Sequence, residues 1–220
     1  MPGVSAFENL RDTPAVRGFL HQPDAPSGNG LVMTHGAGGN AGAPLLVAVA
    51  EAFTAAGFTV LRCNLPFRQA RPHGPPYPAT AAQDRAGLHR AVMVMRERLS
   101  GRVFLGGHSY GGRQATMLAA SEPDLAAGLL PLSYPLHAPG RTDLRTAHFP
   151  QLTTPALFLH GTRDPFGTVE EMRTALGSLA GPHELVVIEG AGHDLVKGGG
   201  AARVAATALE AFQRFVKLSA

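Results

Sequence analysis

Val103-Phe104-Leu105-Gly106-Gly107-His108-Ser109-Tyr110-Gly111-Gly112 is the stretch on which the reading of this chain turns. Its first four residues form a short apolar run. Gly107 to Gly111 bracket a serine with glycines at the G-x-S-x-G spacing, and residues 111–120 continue as a helix. A strand, a tight turn and a helix in that order make a nucleophile elbow, in which a strained backbone lifts the serine hydroxyl out of the chain. Large side chains at 107 or 111 would collide across such a turn, so glycine fits both positions. Detached from its flanking strand and helix, the pentapeptide would read as an ordinary glycine-rich turn.

The same alternation continues on both sides. Short apolar runs at 31–34, 58–62, 128–132, 155–160 and 184–189 read as strands, and 16–21 as an early edge strand. Helical patterns fall at 44–56, 79–99, 169–179 and 201–218. Within 79–99, Leu88, Val92, Met95 and Leu99 recur at spacings of four, three and four, one apolar face. Gly57 stands where a helix C-terminus calls for glycine. Strands separated by helices predict an α/β fold: a mostly parallel twisted sheet with helices on both faces. The proline-rich segments 65–78 and 133–154 read as irregular, and the second is too short to make a large lid. Neither linker nor repeat divides residues 1–220, which are expected to form a single domain.

Composition removes several classes of function. A chain of 220 residues, 45% hydrophobic and 16% charged, is neither disordered nor a coiled coil. A domain of this size can bury roughly 70% of its unfolded surface. Lys and Arg total 19 against 16 Asp and Glu, a net charge of +3. The basic residues are scattered, and aromatics are only 6% with no tryptophan, which argues against nucleic acid and anionic lipid as partners. Met1-Pro2-Gly3-Val4 lacks a basic leader start, and no apolar stretch is long enough to span a bilayer. A cytoplasmic protein is the expectation. Cys63, the single cysteine, excludes an intramolecular disulfide and reads as a small buried hydrophobe.

A serine hydroxyl needs a base, since it is a poor nucleophile at neutral pH. Ten histidines make any one of them uninformative by type. His193 stands out by place: it follows the strand at 184–189 through Gly190-Ala191-Gly192, where loops beyond strand ends form the ligand crevice. Its plain alternative is a polar turn residue. Asp164, just past the strand at 155–160, is the candidate to orient the imidazole, and the order Ser109, Asp164, His193 fits the elbow architecture. The alternative for Asp164 is a turn aspartate. Asp194 is the rival acid, read as a residue of a helix N-terminus.

An oxyanion formed in acyl chemistry needs main-chain donors. One is expected from Tyr110, the residue after the nucleophile. The other is expected from the Gly-rich loop after the strand at 31–34, with Ala37 first and Gly38 second. That loop does not match a nucleotide-binding G-x-G-x-x-G or a P-loop, no metal-ligand cluster is apparent, and no cofactor is called for. Gly38, Arg68, His137 and Arg145 are the candidates for substrate binding. Arg68 and Arg145 suit a carboxylate or phosphate. The two arginines and His137 serve equally to pin proline-rich loops, and the reading leans that way.

These residues resemble the alpha/beta-hydrolase superfamily, from about Val16 to Leu218. The resembling segments include His35-Gly36-Ala37-Gly38-Gly39, Pro66-Phe67, Pro75-Pro76, the elbow with Gly112, Tyr134-Pro135-Leu136-His137, His160-Gly161-Thr162-Arg163-Asp164-Pro165-Phe166-Gly167, and Gly192-His193. The chain is similar to the dienelactone-hydrolase-like group, and within it to the small branch named after a testis-expressed vertebrate protein. The resemblance implies an eight-strand-type sheet, Ser109, Asp164 and His193 as triad, and Tyr110 and Ala37 as oxyanion donors. Dienelactone hydrolases carry cysteine at the nucleophile, whereas position 109 is serine, so their substrate does not transfer. The expected function is a serine hydrolase acting on a small ester, thioester or related acyl molecule. The alternative is a catalytically idle scaffold or interaction module on the same fold.

Overall fold

The computed structural model describes residues 3–197 and 200–218. Met1 and Pro2, which entered the leader reading, lie outside them. Eight strands form one sheet: β1 (Gly3–Asn9), β2 (Val16–Gln22), β3 (Gly30–Thr34), β4 (Thr59–Cys63), β5 (Val103–His108), β6 (Leu129–Leu132), β7 (Ala156–Gly161) and β8 (His183–Ile188). The helices are α1 (Pro44–Ala55), α2 (Pro66–Ala70), α3 (Ala81–Arg98), α4 (Tyr110–Ser121), α5 (Val169–Leu176) and α6 (Ala201–Leu218). Strand order is β1-β2-β4-β3-β5-β6-β7-β8. β2 pairs antiparallel with both β1 and β4, and every pair from β4 to β8 is parallel.

Alternation along the strands builds two cores. Leu31 and Met33 point to one face, with α1 and α6, where Phe53, Phe58, Phe104 and Phe212 interlock. Val32 and Leu105 point to the other, among Leu88, Val92 and Met95 of α3 and Leu118 of α4. Pro44 opens α1, where its missing N–H costs nothing, and Gly57 at φ 92° lets the chain turn back into β4.

Strand order places the site. The chain passes from β3 to β4 on one side, then returns across β3 to β5 on the other. The loops leaving β3 and β5 therefore diverge, opening a crevice at their C-terminal ends. Residues 133–154 stay irregular apart from a 3-10 turn at Phe149–Gln151, and no large lid covers the crevice among the described residues.

Two readings of the sequence are corrected here. Residues 16–21 are not the edge: β1 lies outside β2. Only Phe7 of β1 is buried, so its pattern is too weak to read as a strand. Residues 65–78 are not wholly irregular, because Pro66 starts the short helix α2 at its first turn.

Candidate active site

Ser109 stands between β5 and α4 at φ 52°, ψ −116°. Such a backbone costs roughly 1–3 kcal/mol and persists only where its surroundings fix it. Here Ser109 N–H donates to Leu132 O at 2.8 Å and Ser109 O accepts from Arg113 N–H at 2.9 Å. The glycines are sterically required. A Cβ on Gly107 would lie 2.7 Å from Gly111 C, one on Gly112 2.6 Å from Gly107 O, and one on Gly111 2.6 Å from His35 O.

Three distant segments meet at the serine. His193 Nε2 lies 2.7 Å from Ser109 Oγ, and its Nδ1 lies 2.8 Å and 3.0 Å from the two Asp164 carboxylate oxygens. Asp164 is buried, and its Oδ1 also accepts Phe166 N–H at 2.9 Å. The Phe166 ring stands edge-on to His193, centroids 4.4 Å apart, which limits rotation of the imidazole. Asp194 is neither an imidazole partner nor a helix N-terminal residue. Its Oδ1 accepts Val196 and Lys197 N–H, both at 3.1 Å, in the turn ahead of α6.

The loop after β3 faces the serine from the other side. Neither Ala37 N–H nor Tyr110 N–H takes part in the loop and turn hydrogen bonds of the described residues. The loop is fastened from beneath by residues 62–68. His35 Nε2 accepts Leu65 N–H at 3.1 Å, so its Nδ1 carries the proton and donates to Gly36 O at 2.8 Å. Burial, aided by nearby Arg68, lowers the His35 pKa to about 4 and keeps this tautomer neutral. Asn64 Oδ1 accepts Ala41 N–H at 2.8 Å, and Arg62 donates to Ala41 O.

Arg68 belongs to this fastening and does not line the cleft. It donates to Ala37 O and Gly39 O at 2.8 Å, to Gly74 O at 3.0 Å and to Arg71 O at 3.3 Å. The structure thus sets it under the loop as a clamp on four carbonyls. Cys63 ends β4 buried, its thiol pushed up to about 12 by burial.

The remaining candidates are on the wall of a cleft of about 1020 Å³ above Ser109. Gly38, His137 and Arg145 all line it. His137 Nε2 meets Glu171 Oε1 at 3.2 Å. Arg145, a residue of the cleft wall, also serves its loop through the main chain, donating N–H to Leu136 O and accepting the Tyr134 hydroxyl at 2.6 Å.

Several residues of the site carried no role in the sequence reading. His108 Nε2 donates to His193 O at 2.7 Å and so holds the loop that carries the imidazole. His160 is buried, donates Nε2–H to Gly167 O at 2.7 Å, and sets Nδ1 3.8 Å from Asp164. Asp84 accepts Tyr110 Oη–H at 2.8 Å and Phe67 N–H at 3.0 Å, tying the residue after the nucleophile to α3. Arg85 and Arg113 also line the cleft. Arg113 was detectable: four residues past Ser109 is one helical turn on the same face. Arg85 had no such marker, because its place depends on how α3 meets α4. Among the described residues no group of three His, Cys, Asp or Glu could hold a metal, and no helix is long and apolar enough to cross a membrane.

Comparison with known proteins agrees with this fold. In the solved structures the chain is similar to a dienelactone hydrolase from Anabaena variabilis, at 23% identity and TM-score 0.78, covering 97% of this chain and 98% of that one. An alpha-beta serine hydrolase homologue from Coxiella burnetii matches at 18% identity and TM-score 0.73, over 98% and 97% of the two chains. A lidless serine hydrolase from Xanthomonas campestris matches at 17% and 0.75, over 96% and 94%. The model of a family described as an alpha/beta hydrolase domain matches residues 27–217, and with the sheet order and elbow above, the chain belongs to that family.

Proposed function

We propose that the protein is a serine hydrolase that cleaves a small ester, thioester or related acyl substrate through an acyl-enzyme. The observation that carries this reading is the unbroken path from Ser109 Oγ through His193 to the buried Asp164, with contacts of 2.7 and 2.8 Å. His193 Nε2 accepts the Ser109 proton as Oγ attacks the acyl carbon. Asp164 keeps the Nδ1–H tautomer and supports the imidazolium that forms. The N–H groups of Tyr110 and Ala37 receive the developing oxyanion. His193 then gives its proton to the leaving group, which departs, and a water activated by the same imidazole hydrolyses the acyl-enzyme. The proposal includes a cytoplasmic setting and a small-molecule partner.

A panel of p-nitrophenyl esters, acyl thioesters and short peptides, assayed against the native protein and Ser109→Ala, tests the reaction class. Turnover of esters or thioesters that disappears in Ser109→Ala supports the proposal. Absence of turnover, or turnover that survives the substitution, contradicts it.

A further inference from the structure

Three arginines, Arg85, Arg113 and Arg145, line the cleft above Ser109. None of them is within ion-pair distance of a carboxylate among the described residues. Arg85 has one side-chain hydrogen bond, to the neutral amide oxygen of Gln114 at 2.9 Å. Arg113 leaves its buried Nε without a partner. The nearby carboxylates are engaged elsewhere. Asp84 accepts from Tyr110 and Phe67, Asp143 pairs with Arg141, and Asp194, also on the cleft wall, holds its own turn. His148 adds no charge: burial first, then the charges of Arg113 and Arg85, lower its pKa to about 4.

Burial, reinforced by repulsion from Arg113 and opposed by Tyr134 and Asp143, also lowers the pKa of Arg145. Elsewhere the cleft is lined by Leu45, Leu46, Tyr77, Met117 and Val196, which suit a hydrocarbon chain. Positive charge is therefore gathered on α3, the loop 133–154, and the face of α4 that runs from Ser109 to Arg113 and Met117. A planar guanidinium fork matches the oxygens of a carboxylate or phosphate, and an anion there relieves the repulsion between the arginines.

We propose that Arg113 and Arg145, supported by Arg85, bind an oxyanionic group, carboxylate or phosphate, on the acyl substrate. The anion is held about one helical turn, roughly 5–6 Å along α4, from the nucleophile. This rests on the hydrolase reading only in calling the ligand a substrate. The site selects acyl compounds with a charged end over neutral ones of equal length.

The test is a calorimetric titration of the Ser109→Ala protein with three probes: monoethyl glutarate, 3-acetoxypropyl phosphate and neutral ethyl pentanoate. At least one charged ester is expected to bind at least about tenfold more tightly than the neutral one, and which of them does so separates carboxylate from phosphate. Adding Arg113→Gln or Arg145→Gln should remove most of that preference and leave the neutral ester within about twofold, with folding checked by circular dichroism. Equal affinity for the three probes in the Ser109→Ala protein overturns the proposal, as does a preference that survives both arginine substitutions. Ser109→Ala does not turn the esters over, so this outcome is independent of whether the native protein is a hydrolase.

Discussion

Asp164 and Asp194 lie on either side of the same imidazole in sequence, and only the first shares hydrogen bonds with it. Asp164→Asn should leave the fold intact and lower kcat by roughly 10³–10⁴-fold, because the imidazole loses its tautomer control and charge support. Asp194→Asn should cost about tenfold or less, since its carboxylate serves a turn. Steady-state kinetics on the two variants gives the order, and the reverse order would move the acid to Asp194. Arg68 leads to a different expectation. Two of its carbonyl contacts hold the loop of Ala37 and Gly39 and two hold residues 71 and 74 of its own segment, so Arg68→Ala should lower the melting temperature and reduce kcat for charged and neutral substrates alike. A rise in KM confined to carboxylated substrates, with unchanged melting, would put Arg68 back at the substrate. Sequence position left this residue two roles, since it lies past a strand end, where ligands bind; the carbonyls that take its donors favour the loop-pinning one. Ser109, Asp164 and His193 were legible because each follows an apolar strand at a glycine-rich turn. His108 and His160 were not, because their partners are main-chain carbonyls, His193 O and Gly167 O, which no pattern of side chains reports.

At the scale of elements, the elbow works by exclusion of side chains. Gly107 and Gly112 face each other across the turn, each leaving no room for a Cβ against the other's backbone. Gly112→Ala should therefore destabilise more than the roughly 1 kcal/mol that a helical Gly-to-Ala change ordinarily contributes in the favourable direction. A chemical-denaturation midpoint at or above that of the native protein would contradict the packing described here. On the face of α1 and α6, Phe212 touches Phe53, Phe58 and Phe104 at centroid distances of 5.3, 6.3 and 5.0 Å. Phe212→Ala should cost about 3–5 kcal/mol in the same measurement, the usual range for a large aromatic removed from a core. The periodicity of α3 and α6 and the apolar runs of β3, β5 and β7 could be read directly, since burial on both faces writes itself into composition. β1 could not, because an edge strand with one buried side chain has almost no pattern to show.

Across the whole molecule, several buried histidines resist protonation. The pKa values of His21, His35 and His148 are each lowered to about 4, with burial the largest cause. Unfolded, they titrate near 6.5. Between those values the unfolded chain binds more protons than the native one, so stability rises with pH. It should be full above about pH 6.5, decline toward pH 4, and level off below that as the native histidines also protonate. Thermal melts at pH 7.5, 5.5 and 4.5 should show a falling midpoint, and a flat profile would contradict the burial of these rings. The central claim concerns Ser109, and its most direct measurement is intact-mass analysis after treatment with a fluorophosphonate, followed by peptide mapping. The account predicts one adduct per chain, located on Ser109, abolished by Ser109→Ala and strongly slowed by Asp164→Asn. A protein that stays unlabelled where a control serine hydrolase reacts, or an adduct on another residue, would contradict it.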